Sequence, residues 1–206
     1  MLFLQHFRIK LEHRQANILD HQTAIKSAVI LPLVIHEGQP SLLFEVRSQD
    51  LKGQPGEICF PGGHIEENDA SPQEAALRET CEELGIKKEH LAVWGPLDVL
   101  VTPFQLILYP FVCEIKEGTR IIPNSEVDHV FYVPLSFLLN TQPLIYQMGV
   151  KIIPAENFPF QLIQNGKAYN WRTGNYPVYF YLYENYIIWG LTARIVAHFL
   201  EVIKSS

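Results

Sequence analysis

The stretch PGGHIEENDASPQEAALRETCEELGI, residues 61–86, constrains the fold most, because it contains the start and end signals of one helix. Ser71 and Glu74 have the spacing of a capping box, and the proline between them suits the first helical turn. Alanine and leucine favour helix in the middle of the stretch, and Gly85 supplies the left-handed residue that commonly follows a helix. The sequence therefore predicts a helix over Pro72–Leu84.

One face of that helix is acidic. Glu82 and Glu83 follow Glu79 by three and four positions, so at about 100° per residue the three carboxylates lie on one face. Like charges at this spacing cost roughly 0.2–0.5 kcal/mol per pair, and Arg78 relieves only part of this through Glu82. A divalent cation such as Mg²⁺ or Mn²⁺ would neutralise the face, and the preceding Gly62-Gly63 turn can present backbone atoms to a ligand. The alternative is a solvated acidic face.

The remainder of the chain predicts a mixture of strands and helices without a regular strand-helix-strand repeat. Apolar runs predict a hairpin over residues 28–35 and 41–47 and a second hairpin that turns at Glu184-Asn185. Between them the predicted elements are strands at 58–60, 91–101, 105–115 and 129–133 and a short helix at 135–139. A C-terminal helix carries an apolar stripe formed by Leu191, Ile195, Phe199 and Val202. This pattern favours an α+β sandwich over a doubly wound sheet.

Composition and charge exclude several classes of partner. The chain has 206 residues, 48% of them hydrophobic and 18% charged, which suits one globular domain. Its net charge of −6 argues against a broad surface for nucleic acid or anionic membranes, and no apolar run approaches transmembrane length. The N-terminus lacks the features of a secretory signal. Cys59, Cys81 and Cys113 lie far apart, so we expect reduced, buried thiols in a cytoplasmic protein.

The segment 63–86 resembles the Nudix box, whose pattern runs Gly, five residues, Glu, seven residues, then Arg-Glu-aliphatic-x-Glu-Glu-x-Gly-aliphatic. The matching positions are Gly63, Arg78, Glu79, Glu82, Glu83, Gly85 and Ile86. Two features depart from the pattern: Asp69 replaces the first glutamate, with eight residues between it and Arg78, and Thr80 replaces the aliphatic residue. The loop before the helix can absorb the extra residue. The first carboxylate of the box is then one of three: Asp69, Glu66 or Glu67.

The run LLFEVRSQDLKGQPGEICFPGG before the box is similar to the signature of the coenzyme A pyrophosphatase branch of Nudix hydrolases, which also tends to carry a box one residue longer. Gln54 and Lys52 stand where that branch often has His and Arg. The resemblance implies an α/β/α sandwich with a mixed sheet, as a single Nudix domain over 1–206 with a core of about 27–203 after an N-terminal extension, 1–26. Dimers are common among Nudix proteins, so a homodimer stays open.

The same resemblance implies a metal-dependent hydrolase that cleaves coenzyme A, or an acyl-CoA, into 3′,5′-ADP and 4′-phosphopantetheine or its acyl form. The metal ligands that it implies are Glu79, Glu82, Glu83 and the carbonyl of Gly63. The catalytic residues that it implies are Glu79, as a further ligand or as the base, together with Arg78 and Glu82. The implied substrate-binding residues are Arg47, Lys52 and Gly62. Glu126 and Asp128 are further candidates for the base, although charged residues at a strand end are the simpler interpretation.

Two other functions stay open at the level of sequence. The substrate could be ADP-ribose or a dinucleotide, because the box determines the reaction whereas the remainder of the chain determines specificity. A catalytically silent nucleotide sensor is an alternative of another class. Such a sensor commonly lacks box carboxylates, and Glu79, Glu82 and Glu83 are all present in this chain.

Overall fold

The computed structural model describes residues 2–205, which form a mixed sheet between helices and a smaller second sheet. The strands are β1 (Ile25–His36), β2 (Gln39–Arg47), β3 (Ile58–Cys59), β4 (Gly62–His64), β5 (Leu91–Pro96), β6 (Leu100–Val101), β7 (Leu106–Ile115), β8 (Val127–Pro134), β9 (Leu144–Lys151), β10 (Thr173–Tyr183) and β11 (Tyr186–Trp189). The helices are α1 (Leu2–Glu12), α2 (Pro72–Leu84), α3 (Leu135–Asn140) and α4 (Gly190–Lys204), with 3₁₀ turns at Lys88–His90, Phe160–Leu162 and Gly166–Ala168.

The larger sheet mixes parallel and antiparallel pairs. Its neighbours follow the order β3-β2-β1-β7-β5, and β4 also pairs with β1, β6 with β7, and β8 with β2. Strands β1 and β7 run parallel from the pair Ile25 and Leu106 onward, while β1 and β2 form the predicted hairpin. Glu37 and Gly38 close that hairpin with positive φ angles, as a tight two-residue turn requires. The mixed sheet with helices confirms the predicted α+β sandwich.

Strand β2 shows how the two faces of the sheet are covered. Successive side chains of a strand point to opposite faces. Leu43 belongs to an apolar cluster with Leu84 of α2, whereas Phe44 belongs to a larger cluster with Phe199 of α4. Helix α2 therefore covers one face, and helix α4 covers the other. None of the helices within residues 2–205 combines the length and apolar character needed to cross a membrane.

The second sheet has the order β11-β10-β9, and its hairpin turns at Glu184-Asn185 as predicted. Strand β9 was not predicted, because nearly all of its side chains are exposed and an alternating apolar pattern is therefore missing. The sheet is attached to the main body through the ring of Tyr186, which stacks on Phe131 with centroids 3.7 Å apart. Helix α4, which follows β11 directly, is joined to β3 where the hydroxyl of Thr192 donates to the carbonyl of Ile58 at 3.2 Å.

Two expectations about secondary structure need correction. The predicted strand over 91–101 is divided into β5 and β6, and its pairing with β7 shifts register between Val93 and Gly95. Ile195 and Phe199 are buried as expected, but Val202 is 46% exposed, so the apolar stripe of α4 ends before its last turn.

Candidate active site

Helix α2 carries the acidic residues of the box, and its ends lie where the sequence predicts them. Ser71 Oγ accepts the N–H of Glu74 at 3.2 Å, but the Glu74 carboxylate contacts Lys88 Nζ, so only one half of the predicted capping box forms. Gly85 has a φ of 62°, and a Cβ atom there would lie 2.1 Å from a carbonyl oxygen of the facing loop. Thr80 is tolerated at a buried position because its hydroxyl donates to the carbonyl one turn earlier at 2.7 Å.

The two glycines before the helix bring the backbone against its carboxylates. Gly62 has a φ of 149°, and a Cβ atom there would lie 2.3 Å from the carbonyl oxygen of Ala28. Its N–H donates to Glu83 Oε2 at 2.8 Å. A Cβ atom on Gly63 would lie 2.6 Å from Glu79 Oε1. Gly62 is predicted to bind substrate, and in the structure its N–H holds the carboxylate of Glu83 in place.

Arg78 connects the loop before α2 to the box. Its Nε and Nη2 atoms donate to the two oxygens of Asp69 at 3.1 and 3.0 Å, and Nη1 donates to Glu79 Oε1 at 2.9 Å. These hydrogen bonds raise the pKa of Arg78 and lower the pKa of Asp69. Of the three candidates for the first carboxylate, Asp69 is therefore the one that holds Arg78, whereas Glu66 and Glu67 are exposed.

The three glutamates of the box occupy different environments, in contrast to the single narrow face that the sequence predicts. Side-chain exposure is 20% for Glu79 and 57% for Glu82, while Glu83 is only 4% exposed. Their arc on the helix runs from the sheet to solvent, which accounts for the difference. Desolvation is the main cause that raises the pKa of Glu79, and it also raises the pKa of Glu83, where repulsion from Glu45 adds to it.

Glu45 is a site residue that the sequence analysis did not single out. It is 1% exposed on β2, and its Oε1 accepts a hydrogen bond from Cys59 Sγ at 3.2 Å. Among the residues that the structure describes, its Oε2 is the one buried side-chain nitrogen or oxygen atom without a hydrogen-bond partner. Desolvation raises the pKa of Glu45. A charged residue inside the apolar run LLFEV was the available sequence signal, because such a position is normally apolar.

The two further candidate bases, Glu126 in the loop before β8 and Asp128 within β8, are placed differently. Glu126 is exposed, and it lies close enough to Glu79 and Glu45 to raise the pKa of both. Asp128 Oδ2 lies 2.6 Å from Nδ1 of His129, so that carboxylate is paired with the neighbouring histidine of β8. Glu126 is thus the loop residue that approaches the carboxylates.

The predicted substrate cations lie at the start of the loop between β2 and β3. Arg47 is half-buried, its Nε donates to the carbonyl of Gly53 at 3.4 Å, and its charge lowers the pKa of Glu45 and Glu83. Lys52 is exposed in the same loop. The fold therefore brings Arg47 to the carboxylates.

The donor atoms suit a hard divalent cation, although no three His, Cys, Asp or Glu side chains within residues 2–205 converge closely enough to hold one as they stand. Glu79 and Glu83 lie against the Gly62-Gly63 backbone, Glu45 is close enough to Glu83 to raise its pKa, and one oxygen of Glu45 has no partner. Oxygen ligands of this kind are those that Mg²⁺ and Mn²⁺ prefer. The residues present therefore fit the cation that the box predicts.

The cysteines are not all buried as expected. All three are free, but Cys59 and Cys81 are half-buried, and only Cys113 is fully buried. The thiol of Cys59 belongs to the site through its hydrogen bond to Glu45.

A cavity of about 290 Å³ lies elsewhere, between β6 and α4. Its lining includes Arg194 and His198, and His198 Nε2 lies 3.3 Å from Asp98 Oδ2. It shares no residue with the carboxylate site.

Comparison with known proteins gives a family match. The NUDIX domain family matches residues 25–148. The chain is 31% identical over 182 residues to the peroxisomal coenzyme A diphosphatase NUDT7 of Mus musculus, with 85% of this chain and 69% of that protein covered. It is 32% identical over 183 residues to the mitochondrial coenzyme A diphosphatase NUDT8 of Homo sapiens, with 86% and 69% covered.

A bacterial relative covers nearly the whole chain: the uncharacterized Nudix hydrolase NudL of Photorhabdus laumondii is 29% identical over 203 residues, which is 98% of this chain and 96% of that protein. Among solved structures, a MutT/nudix family protein from Enterococcus faecalis superposes with a TM-score of 0.51 at 14% identity, covering 98% of this chain and 70% of that one. The fold, the box and the family match agree, and the chain belongs to the NUDIX domain family of hydrolases.

Proposed function

We propose that this Nudix hydrolase cleaves the diphosphate of coenzyme A or an acyl-CoA to 3′,5′-ADP and 4′-phosphopantetheine or its acyl form, with Mg²⁺ or Mn²⁺. The observation that carries the proposal is the placement of Glu79 and Glu83 against the Gly62-Gly63 backbone, with Arg47 close by. The relatives named as coenzyme A diphosphatases support the substrate.

In this proposal Glu79, Glu82, Glu83 and the carbonyl of Gly63 hold the cation. When bound, the cation neutralises the diphosphate oxygens, which otherwise repel an incoming nucleophile. Arg78 positions the carboxylate of Glu79 through the 2.9 Å hydrogen bond described above. Because Asp69 engages two further nitrogens of Arg78, the guanidinium is oriented from both sides.

Glu79 is the base in this proposal. Its carboxylate accepts a proton from a water molecule, and the pKa raised by burial makes it a better proton acceptor near neutral pH. The water oxygen forms a bond to one phosphorus of the diphosphate, and the bond from that phosphorus to the bridging oxygen breaks. The two products leave as phosphomonoesters, and Glu79 returns its proton to solvent.

Arg47 and Lys52 are the proposed contacts to the substrate phosphates. A guanidinium can bind two phosphate oxygens at once, whereas an ammonium group acts as a point charge. Arg47 is held by the carbonyl of Gly53 at the edge of the carboxylates, and Lys52 is free to reach outward from the exposed loop. These positions suit recognition of the 3′-phosphate of coenzyme A.

Product analysis tests this function directly. The protein is incubated with coenzyme A, ADP-ribose or a dinucleotide, each with Mg²⁺ or Mn²⁺, beside the Glu82→Gln and Glu83→Gln variants. Metal-dependent release of 3′,5′-ADP from coenzyme A, lost in the variants, is the expected result. Cleavage of ADP-ribose alone would replace the substrate and keep the mechanism. No product from any compound would favour a silent sensor.

The cytoplasmic location and the homodimer stay predictions. Light scattering on the purified protein would measure its mass in solution and decide between a monomer and a dimer. Fractionation of cells that express the full chain would test the location.

A further inference from the structure

Glu45 is the unexplained residue of the site. It lies in the middle of β2, where its neighbours Phe44 and Val46 are buried in the apolar cluster on the α4 side. Its backbone pairs with Cys59 on β3 and with Val130 on β8, so strands flank it on both sides. A carboxylate at such a position is costly to bury, and an apolar residue would satisfy the packing at lower cost.

The side chain of Glu45 faces the carboxylates of α2. Leu43, two residues earlier on the same face of β2, belongs to one apolar cluster with Leu84, the neighbour of Glu83. Glu45 also exerts the largest charge effect on Glu83. The next residue on this face is Arg47, which attracts both carboxylates. Glu45 is thus directed into the site from the sheet, opposite the helix.

The two carboxylate oxygens of Glu45 differ in their hydrogen bonding. Cys59 Sγ donates to Oε1 at 3.2 Å, whereas Oε2 has no hydrogen-bond partner although it is buried. Buried polar atoms are normally paired, so an unpaired carboxylate oxygen points to a ligand, a proton or a water molecule. A proton relieves the repulsion between Glu45 and Glu83 by removing one of the two charges, whereas a cation relieves it while both carboxylates stay ionised, because it attracts both.

We propose that Glu45 is a further ligand of the active-site cation, binding through its unpartnered oxygen beside Glu83, while Cys59 fixes the orientation of its carboxylate. This inference rests on the metal-dependent hydrolase proposed above. It adds a ligand from β2 to the ligands of the box, which come from α2 and from Gly63 of β4. The cation is then held from two sides, by β2 and by α2.

The test is calorimetric titration of the full-length protein with Mn²⁺ in the absence of substrate. Glu45→Gln keeps the shape and removes the charge, and Glu45→Leu suits a buried strand position. We expect both to weaken Mn²⁺ binding on the order of 10- to 100-fold. Cys59→Ala should weaken binding several-fold, because the carboxylate stays but loses its orienting donor. Glu114→Gln is the matched control, since Glu114 is exposed on β7 and bonded to Trp94.

The outcomes separate this inference from the proposed function. If wild-type protein binds Mn²⁺ and both Glu45 variants bind it equally well, the inference is overturned and the function stands. If wild-type protein binds no Mn²⁺ at millimolar concentration, the metal-dependent function fails, and the inference fails with it. Near-UV circular dichroism checks the fold of each variant. Glu45→Leu is expected to fold even if Glu45→Gln does not, because replacing a buried charge by an apolar residue is often neutral or stabilising.

Discussion

Two groups of carboxylates lie along α2, the loop before it and the strand that faces it, and they differ in what neutralises them. The outer carboxylates, Asp69 and Glu79, are both hydrogen-bonded by Arg78. The inner carboxylates, Glu45 and Glu83, are almost completely buried, and one oxygen of Glu45 has no partner. Arg78 therefore pairs both outer carboxylates within the protein, whereas the inner group keeps one unpaired oxygen. In the function and the inference proposed above, the outer group supplies the base and the residue that orients it, and the inner group supplies cation ligands.

The largest expected effect comes from the outer group. Glu79→Gln removes the proposed base, so kcat/KM should fall by roughly 10²- to 10⁴-fold while the fold is kept. Steady-state kinetics with coenzyme A, beside Glu114→Gln as a control, measures this effect. A larger loss in Glu126→Gln than in Glu79→Gln would instead assign the base to the loop before β8.

Arg78 should act only through the residues it positions. Arg78→Lys keeps the charge but loses the two-atom contact to Asp69, so kcat/KM should fall on the order of 10- to 100-fold. Asp69→Asn should cause a smaller loss, and the double variant should lose little more than Arg78→Lys alone, because the two residues form one unit. Additive losses in this double-mutant cycle would show that Asp69 has a separate role.

Alanine substitutions at Gly62 and Gly63 should have different effects, because the first should lower stability and the second should lower activity. Gly62→Ala forces a Cβ atom toward the carbonyl of Ala28, so the free energy of unfolding should fall by about 1–3 kcal/mol. Gly63→Ala meets the movable carboxylate of Glu79, so it should reduce activity more than stability. Urea denaturation and kinetics on both variants check this contrast. Equal loss of stability in the two variants would contradict it.

The inner group should make stability depend on pH. The pKa of Glu83 is raised above its ordinary value of 4.5, so the folded protein binds more protons than the unfolded chain above that pH. The metal-free protein should then lose stability as pH rises, by up to about 1.4 kcal/mol per pH unit for each such carboxyl group. Urea denaturation in EDTA, from about pH 5 to about pH 8, measures the slope.

Saturating Mg²⁺ should flatten that slope, because the cation takes the place of the proton. Glu83→Gln should reduce it without any metal. A slope that is the same in wild-type protein and in Glu83→Gln would remove the inner group as its cause.

The sequence predicts most reliably what local chemistry determines. Ser71 and Gly85 place the ends of α2 correctly, because a cap and a left-handed residue act within a few positions. The hairpins follow from apolar runs that turn residues interrupt. Strand β9 escapes prediction because tertiary pairing with β10, rather than its own pattern, makes it a strand.

The site residues also divide into those that local sequence identifies and those that depend on contacts between distant elements. The box glutamates can be found from spacing alone, but their unequal burial depends on how α2 lies on the sheet. Asp69 could not be chosen over Glu66 and Glu67 because loop length does not say which side chain turns back to the helix. Glu45 was missed because its partners, Cys59 and Glu83, come from other elements of the chain.

The parallel pairing of β1 with β7 has a consequence for the order of folding. It joins Ile25 to Leu106, with β2, β4 and α2 between them in sequence, so the core of the sheet closes through distant contacts that form slowly. Gly62 is held to β1 by the same sheet, and Glu83 in turn is held by Gly62. A cation that depends on this arrangement finds its ligands assembled only late, so Mg²⁺ should slow unfolding and leave the refolding rate nearly unchanged.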